Sequence, residues 1–231
     1  MGADSTAART DDPEARGLRL VTVLLGLTVV SGLIDAVSYL GLGHVFTANM
    51  TGNVVVLGFA AAGAPGFSVW HTLTSLACFL IGAAVGGRVA VRFGGRSRRT
   101  WARVTLAVEA VLVGGCAAVA FAAPGATGTT YTLIAVTAFA MGVRNATVRK
   151  LGVPDLTTTV LTMTLTGLAA DTAVGGGGTG SRSPRRVASV AAMAVGALLG
   201  AWLVLHHGLG IPLLIAAVAA GVLAVSASGR E

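Results

Sequence analysis

Long apolar runs, broken by glycine, proline and short clusters of arginine, leave this chain few solvents in which it can fold. Only 11% of its 231 residues are charged and 54% are hydrophobic, with mean hydropathy +0.82. Soluble domains carry about 25% charge. So few charges would not cover a soluble surface of this size, and the bilayer is the solvent that fits. Apolar spans are expected at residues 18–40, 69–91, 104–122, 130–149, 187–206 and 212–226. Gly41-Leu42-Gly43, Pro124-Gly125 and Gly152-Val153-Pro154 supply stops, and Pro212 opens the last span. Two further apolar segments, 51–62 and 158–171, are shorter. At ~1.5 Å per residue they reach roughly 20 Å, less than a ~30 Å hydrocarbon core.

Charge decides how those short segments are placed. With Arg9, Arg16 and Arg19 holding the N-terminus in the cytoplasm, eight full crossings would put the region from Arg88 to Arg103 outside. That region is the most basic in the chain. If 51–62 and 158–171 enter and leave on one side, then Arg88–Arg103, Arg144–Lys150, Arg182–Arg186 and Arg230 all fall inside. The outer connections then carry no Lys or Arg. The expectation is an all-α integral membrane protein of about six transmembrane helices plus two short re-entrant segments. Residues 1–17 read as a disordered cytoplasmic tail, 18–227 as one transmembrane domain and 228–231 as a C-terminal tail.

Net charge is +7, but the basic residues sit in short clusters between apolar spans, so the implied partner is the lipid bilayer and not nucleic acid. The 33 glycines suit close helix packing in lipid, and genome composition would account for them equally well. Cys78 and Cys116 read as small core residues, and their spacing suggests neither a metal site nor a disulfide framework. No hydrolase, metalloprotease or P-loop motif is present, so no catalytic residue, cofactor or enzymatic role is expected.

The chain also repeats. Gly32-Leu33-Ile34-Asp35-Ala36 aligns with Gly142-Val143-Arg144-Asn145-Ala146, and with one residue inserted Thr47–Thr51 falls on Thr158–Thr162. Halves of about 18–123 and 130–227 each read as a helix, a break, a polar short segment and two spans. An odd number of crossings per half makes the repeat inverted, an arrangement common in transporters.

Polar residues at membrane depth are costly and functional by default. Val45-Phe46-Thr47-Ala48-Asn49-Met50-Thr51-Gly52-Asn53 gathers hydroxyls, amides and a glycine inside an apolar stretch, and five threonines recur from Thr157 to Thr164. Half-helix N-termini meeting mid-bilayer would present free N–H groups and favour an anionic or neutral solute. Asn49, Thr51, Gly52, Asn53, Thr158, Thr159 and Thr162 are the expected substrate-binding residues. Asp35, Glu109, Arg144 and Asn145 are candidates for proton coupling or for structural bonding. Asp35 would bond to nearby backbone or pair with Arg144, which otherwise snorkels to the inner face.

Gly32–Gly41, with its Asp35-Ala36-Val37-Ser38-Tyr39 core, the string Val45–Asn53 and Met141-Gly142-Val143-Arg144-Asn145-Ala146 resemble the YoaK-like family of bacterial integral membrane proteins, a domain of unknown function. The resemblance spans about 18–227. It implies a multi-pass protein of the bacterial inner membrane and brings no established activity. The residues themselves favour a transporter or channel for a small solute, and homo-oligomeric assembly is compatible with that. The rival is a non-transporting scaffold that docks a partner through the basic Arg92–Arg103 loop.

Overall fold

A computed structural model describes residues 13–93, 98–151, 161–170 and 183–226. Among them are eight helices: α1 (Pro13–Gly41), α2 (Met50–Ala61), α3 (Val69–Phe93), α4 (Arg98–Ala122), α5 (Thr127–Leu151), α6 (Leu161–Ala170), α7 (Ser183–His207) and α8 (Gly210–Ser226). Pro13, the first residue described, is already in helix. The first helix therefore begins inside the segment expected as a tail, and residues 1–12 and 227–231 lie outside the described residues. The other boundaries fall within a few residues of the expected ones, except that α4 starts earlier, at Arg98.

Four helices contain stretches long and apolar enough to cross a membrane: Val21–Gly41, Val69–Arg92, Thr100–Ala122 and Pro184–His207. α8 is apolar but only 17 residues long, and α5 carries Arg144, Arg149 and Lys150 within its 25. The burial explains α5's polarity. It lies inside the bundle with α1, and residues of α1, α4, α5 and α8 form the main core, including Ile34, Val113, Leu133, Met141 and Leu213. Within the apolar windows 67% of α1 is buried, against 22% for α3 and for α7. The outer helices accordingly expose large apolar side chains such as Leu80, Val91, Leu198 and Leu205, the pattern of a lipid-facing surface.

Helices meet through glycines that let backbone touch backbone. A side chain at Gly82 or Gly86 of α3 would strike the carbonyls of Phe139 or Val143 on α5, and one at Gly142 would strike Phe79. The second half has the same joint: Gly196 and Gly200 of α7 face the carbonyls of Val29 and Leu33 on α1, and Gly32 faces Met193. Contacts of this closeness are how helices associate without a hydrophobic drive between them. In both joints the register advances in the same direction, so α3 runs parallel to α5, and α7 to α1. By contrast, Gly114 faces Ala217 while Gly221 faces Ala110, so α4 and α8 are antiparallel. α2 packs on α3 as α6 packs on α7, and α4 packs on α5 as α8 packs on α1.

α2 ends by a glycine cap. The Gly63 amide donates to the Ala60 carbonyl (3.1 Å) with φ +80, a left-handed conformation that glycine adopts without strain.

Gly142→Val and Gly196→Val are each expected to force apart one of the two matched joints. Overpacking costs about 1–3 kcal/mol, and thermal unfolding in detergent should fall by roughly 2–4 °C for each kcal/mol lost. Gly58→Ala, where nothing lies within 4 Å, should leave the midpoint unchanged or raise it slightly.

Candidate functional site

Between α1 and α2 the chain leaves the helix for Leu42–Asn49, and much of this loop is buried: Leu42, Val45, Thr47 and Ala48 are at most 1% exposed. Backbone N–H and C=O groups in such a place need partners inside the protein. Asp35 supplies two of them. Its Oδ1 accepts from the amides of Thr47 (3.2 Å) and Ala48 (2.8 Å), while Oδ2 accepts from the Asn49 side-chain amide. The Ala48 carbonyl in turn accepts from Asn145 Nδ2 on α5 (3.3 Å). Asn49 is the N-cap of α2, yet its side chain is turned to Asp35 and makes no cap bond to the helix.

Phe46 is held by Asn53 from the first turn of α2. Asn53 Oδ1 accepts from the Phe46 amide (2.8 Å) and Nδ2 donates to the Phe46 carbonyl (2.6 Å), which also accepts from Ser75 Oγ on α3 (2.6 Å). Nδ2 further donates to Ser75 Oγ (3.1 Å). Gly52 completes this corner, since a side chain there would run into the Phe46 ring. Asp35, Asn53, Ser75 and Asn145 thus act as an internal solvent for the loop.

A second polar cluster lies beside the first. Arg144, next to Asn145 on α5, donates from Nη1 to Glu109 Oε1 on α4 (3.0 Å) and from Nη2 to Ser31 Oγ on α1. Arg144 and Glu109 are each 1% exposed. Glu109 Oε2 and Arg144 Nε have no hydrogen-bond partner, and neither has Thr47 Oγ1. Ser31 sits one turn before Asp35, so the two clusters form one seam through the centre of the bundle.

Several expectations are placed differently here. Arg144 pairs with Glu109, not with Asp35, and it does not snorkel; of the two roles expected for Asp35, it takes the bonding to nearby backbone. Asn49 and Asn53 point into the protein and hold the loop. Thr51 is exposed at the start of α2, and Thr162 is exposed at the start of α6, its carbonyl accepting from Thr166 Oγ1 (2.9 Å). Thr158 and Thr159 lie outside the described residues. Sequence reasoning missed Ser31 and Ser75. Ser75 had a signal, because Ser189 stands at the matching place on α7 and both are buried.

Residues 23–226 match a family described as "Protein of unknown function (DUF1275)". The chain belongs to this family. It is also 37% identical over 154 residues to the UPF0700 transmembrane protein YoaK of Bacillus subtilis (strain 168), an alignment covering 65% of this chain and 66% of that protein. The chain thus spans about two thirds of that relative's length. No solved structure matches it. With its apolar helices and a transmembrane relative, this DUF1275 member is a helical membrane protein of the YoaK-like family.

The loop bonds rank their own variants. Asn53→Ala leaves the part-buried Phe46 amide unpaired, at up to about 1–3 kcal/mol, whereas Ser75→Ala leaves the Phe46 carbonyl still bonded to Asn53. Thermal unfolding in detergent should therefore drop further for Asn53→Ala than for Ser75→Ala. Equal drops would mean that the loop is held some other way.

Proposed function

We propose that this DUF1275 protein is a transporter or channel for a small anionic or neutral solute, built as an inverted repeat. Each half contributes three crossings and one re-entrant helix. The observation that carries this reading is the set of helix directions. Each full crossing reverses the chain, so α4 and α8 are antiparallel only if an odd number of reversals separates them. α5, α7 and α8 supply three, and α6 must then turn back. Parallel α1 and α7 require the same of α2. The length of α2 agrees, because its 12 residues are too few for a ~30 Å core.

In this arrangement Arg88, Arg92, Arg103, Arg149, Lys150 and Arg185 share the cytoplasmic side of the bacterial inner membrane with the N-terminus. α2 starts inside the membrane with Thr51 and the free amides of its first turn, and α6 starts opposite with Thr162. Helix N-termini of this kind attract anions and polar neutral groups. Thr158 and Thr159 belong to the same proposed lining. Asp35 and Asn145 serve as positioning residues for α2.

In a Cys78→Ala, Cys116→Ala background, a cysteine at Ala64 should react with an impermeant maleimide in intact cells, and one at Arg92 only after permeabilisation. Labelling of position 64 from the cytoplasmic side alone would mean that α2 crosses and would remove the inverted repeat. Thr51→Val should cut solute uptake about tenfold (about 1.4 kcal/mol) without changing thermal stability. Full activity in Thr51→Val, with loss on neutralising Arg92 and Arg103, would favour the docking scaffold instead.

A further inference from the structure

The matched halves provide a control within the same molecule for the buried ion pair. Gly32 and Gly142 occupy equivalent joints, which places Arg144 of α5 where α1 carries Ile34. Gly114 and Gly221 likewise place Glu109 of α4 where α8 carries Ala216. Ile34 is 1% exposed and Ala216 0%, and both belong to the main hydrophobic core. The same packing is therefore achieved once with a carboxylate and a guanidinium and once with two apolar side chains. Folding alone does not demand the charges, and a buried ion pair is a weak source of stability compared with apolar packing.

The pair also keeps binding capacity in reserve. Glu109 Oε2 is an acceptor and Arg144 Nε a donor, each without a partner on a residue 1% exposed. Thr47 Oγ1 is fully buried and likewise unpartnered, and the carbonyl of the next residue, Ala48, accepts from Asn145, the neighbour of Arg144 on α5. Leaving such groups unbonded is costly, and a ligand that bonds to them removes the cost.

We infer that Glu109, Arg144 and Thr47 form the central solute site, and that its ligand class is small neutral molecules carrying a carbonyl acceptor together with N–H donors, as in amides and ureas. The pair is already neutral as a unit. An anion or cation would bring a net charge into a buried place, whereas a neutral amide can accept from Arg144 Nε and donate to Glu109 Oε2 with the ion pair intact. This rests on the transport reading above and narrows its solute.

The test uses the full chain in proteoliposomes, with urea and malonamide as probes and stopped-flow light scattering as the readout. Wild-type protein should speed the flux of both about tenfold or more over empty liposomes. Thr47→Val fills nearly the same volume and breaks no hydrogen bond, so it should unfold at or above the wild-type temperature while flux falls about fivefold, the worth of one bond. The double variant Glu109→Ala, Arg144→Ile copies the other half's own solution and should bring flux to the empty-liposome level. Wild-type flux in Thr47→Val overturns the inference whether or not the double variant folds, as does wild-type flux in a folded double variant. Acetate flux without urea or malonamide flux overturns it too, yet leaves the transport reading standing. That reading fails separately, on the labelling of position 64.

Discussion

Backbone that leaves a helix inside apolar surroundings must find its hydrogen bonds within the protein, and the loop Leu42–Asn49 is where this chain meets that demand. Asp35 takes the Thr47 and Ala48 amides, Asn53 takes both polar groups of Phe46, and Asn145 takes the Ala48 carbonyl. Because the loop is satisfied, a helix as short as α2 can begin away from either end of the bundle. A helix that turns back changes the parity of the chain, and parity sets the direction of every later helix. On the re-entrant reading proposed above, the antiparallel contact of α4 with α8 and the parallel contact of α1 with α7 both follow from it.

The two halves share their packing and differ in their chemistry. Their glycines meet backbone carbonyls at matching places, and their outer helices, α3 and α7, cover the inner helix of the opposite half. Interlocked in this way, neither half could bury its inner helix alone. Against this common frame the differences stand out. Asp35 faces Asn145 across the repeat, Asn53 corresponds to the buried Thr164, and the Glu109–Arg144 pair has Ala216 and Ile34 as its counterparts. Geometry is kept where helices must approach, and side chains diverge where the polar seam runs.

Much of the scaffold was legible along the chain because its signals are local. Glycine and proline mark the ends of helices, span lengths follow from hydropathy, and the similar strings around Gly32 and Gly142 fall at two close helix contacts. The polar string Val45–Asn53 also announced its importance. Its role was harder to read. Asn49 and Asn53 looked free to face a solute, and they are bonded to Asp35 and Phe46 instead. Arg144 looked like a partner for Asp35 or a snorkelling residue, and it is buried against Glu109, 35 positions away. Ser31 carried no signal strong enough to single it out among the other hydroxyls, and the signal of Ser75 lay only in its match with Ser189.

By itself, then, the sequence determined the solvent of this protein and its helices, since both follow from composition, spacing or local backbone preference. Only the tertiary structure decided which carboxylate the arginine meets, which amides serve the loop, and which polar atoms are left without a partner. Those outcomes depend on side chains brought together from helices far apart in the chain, and no local rule measures that distance.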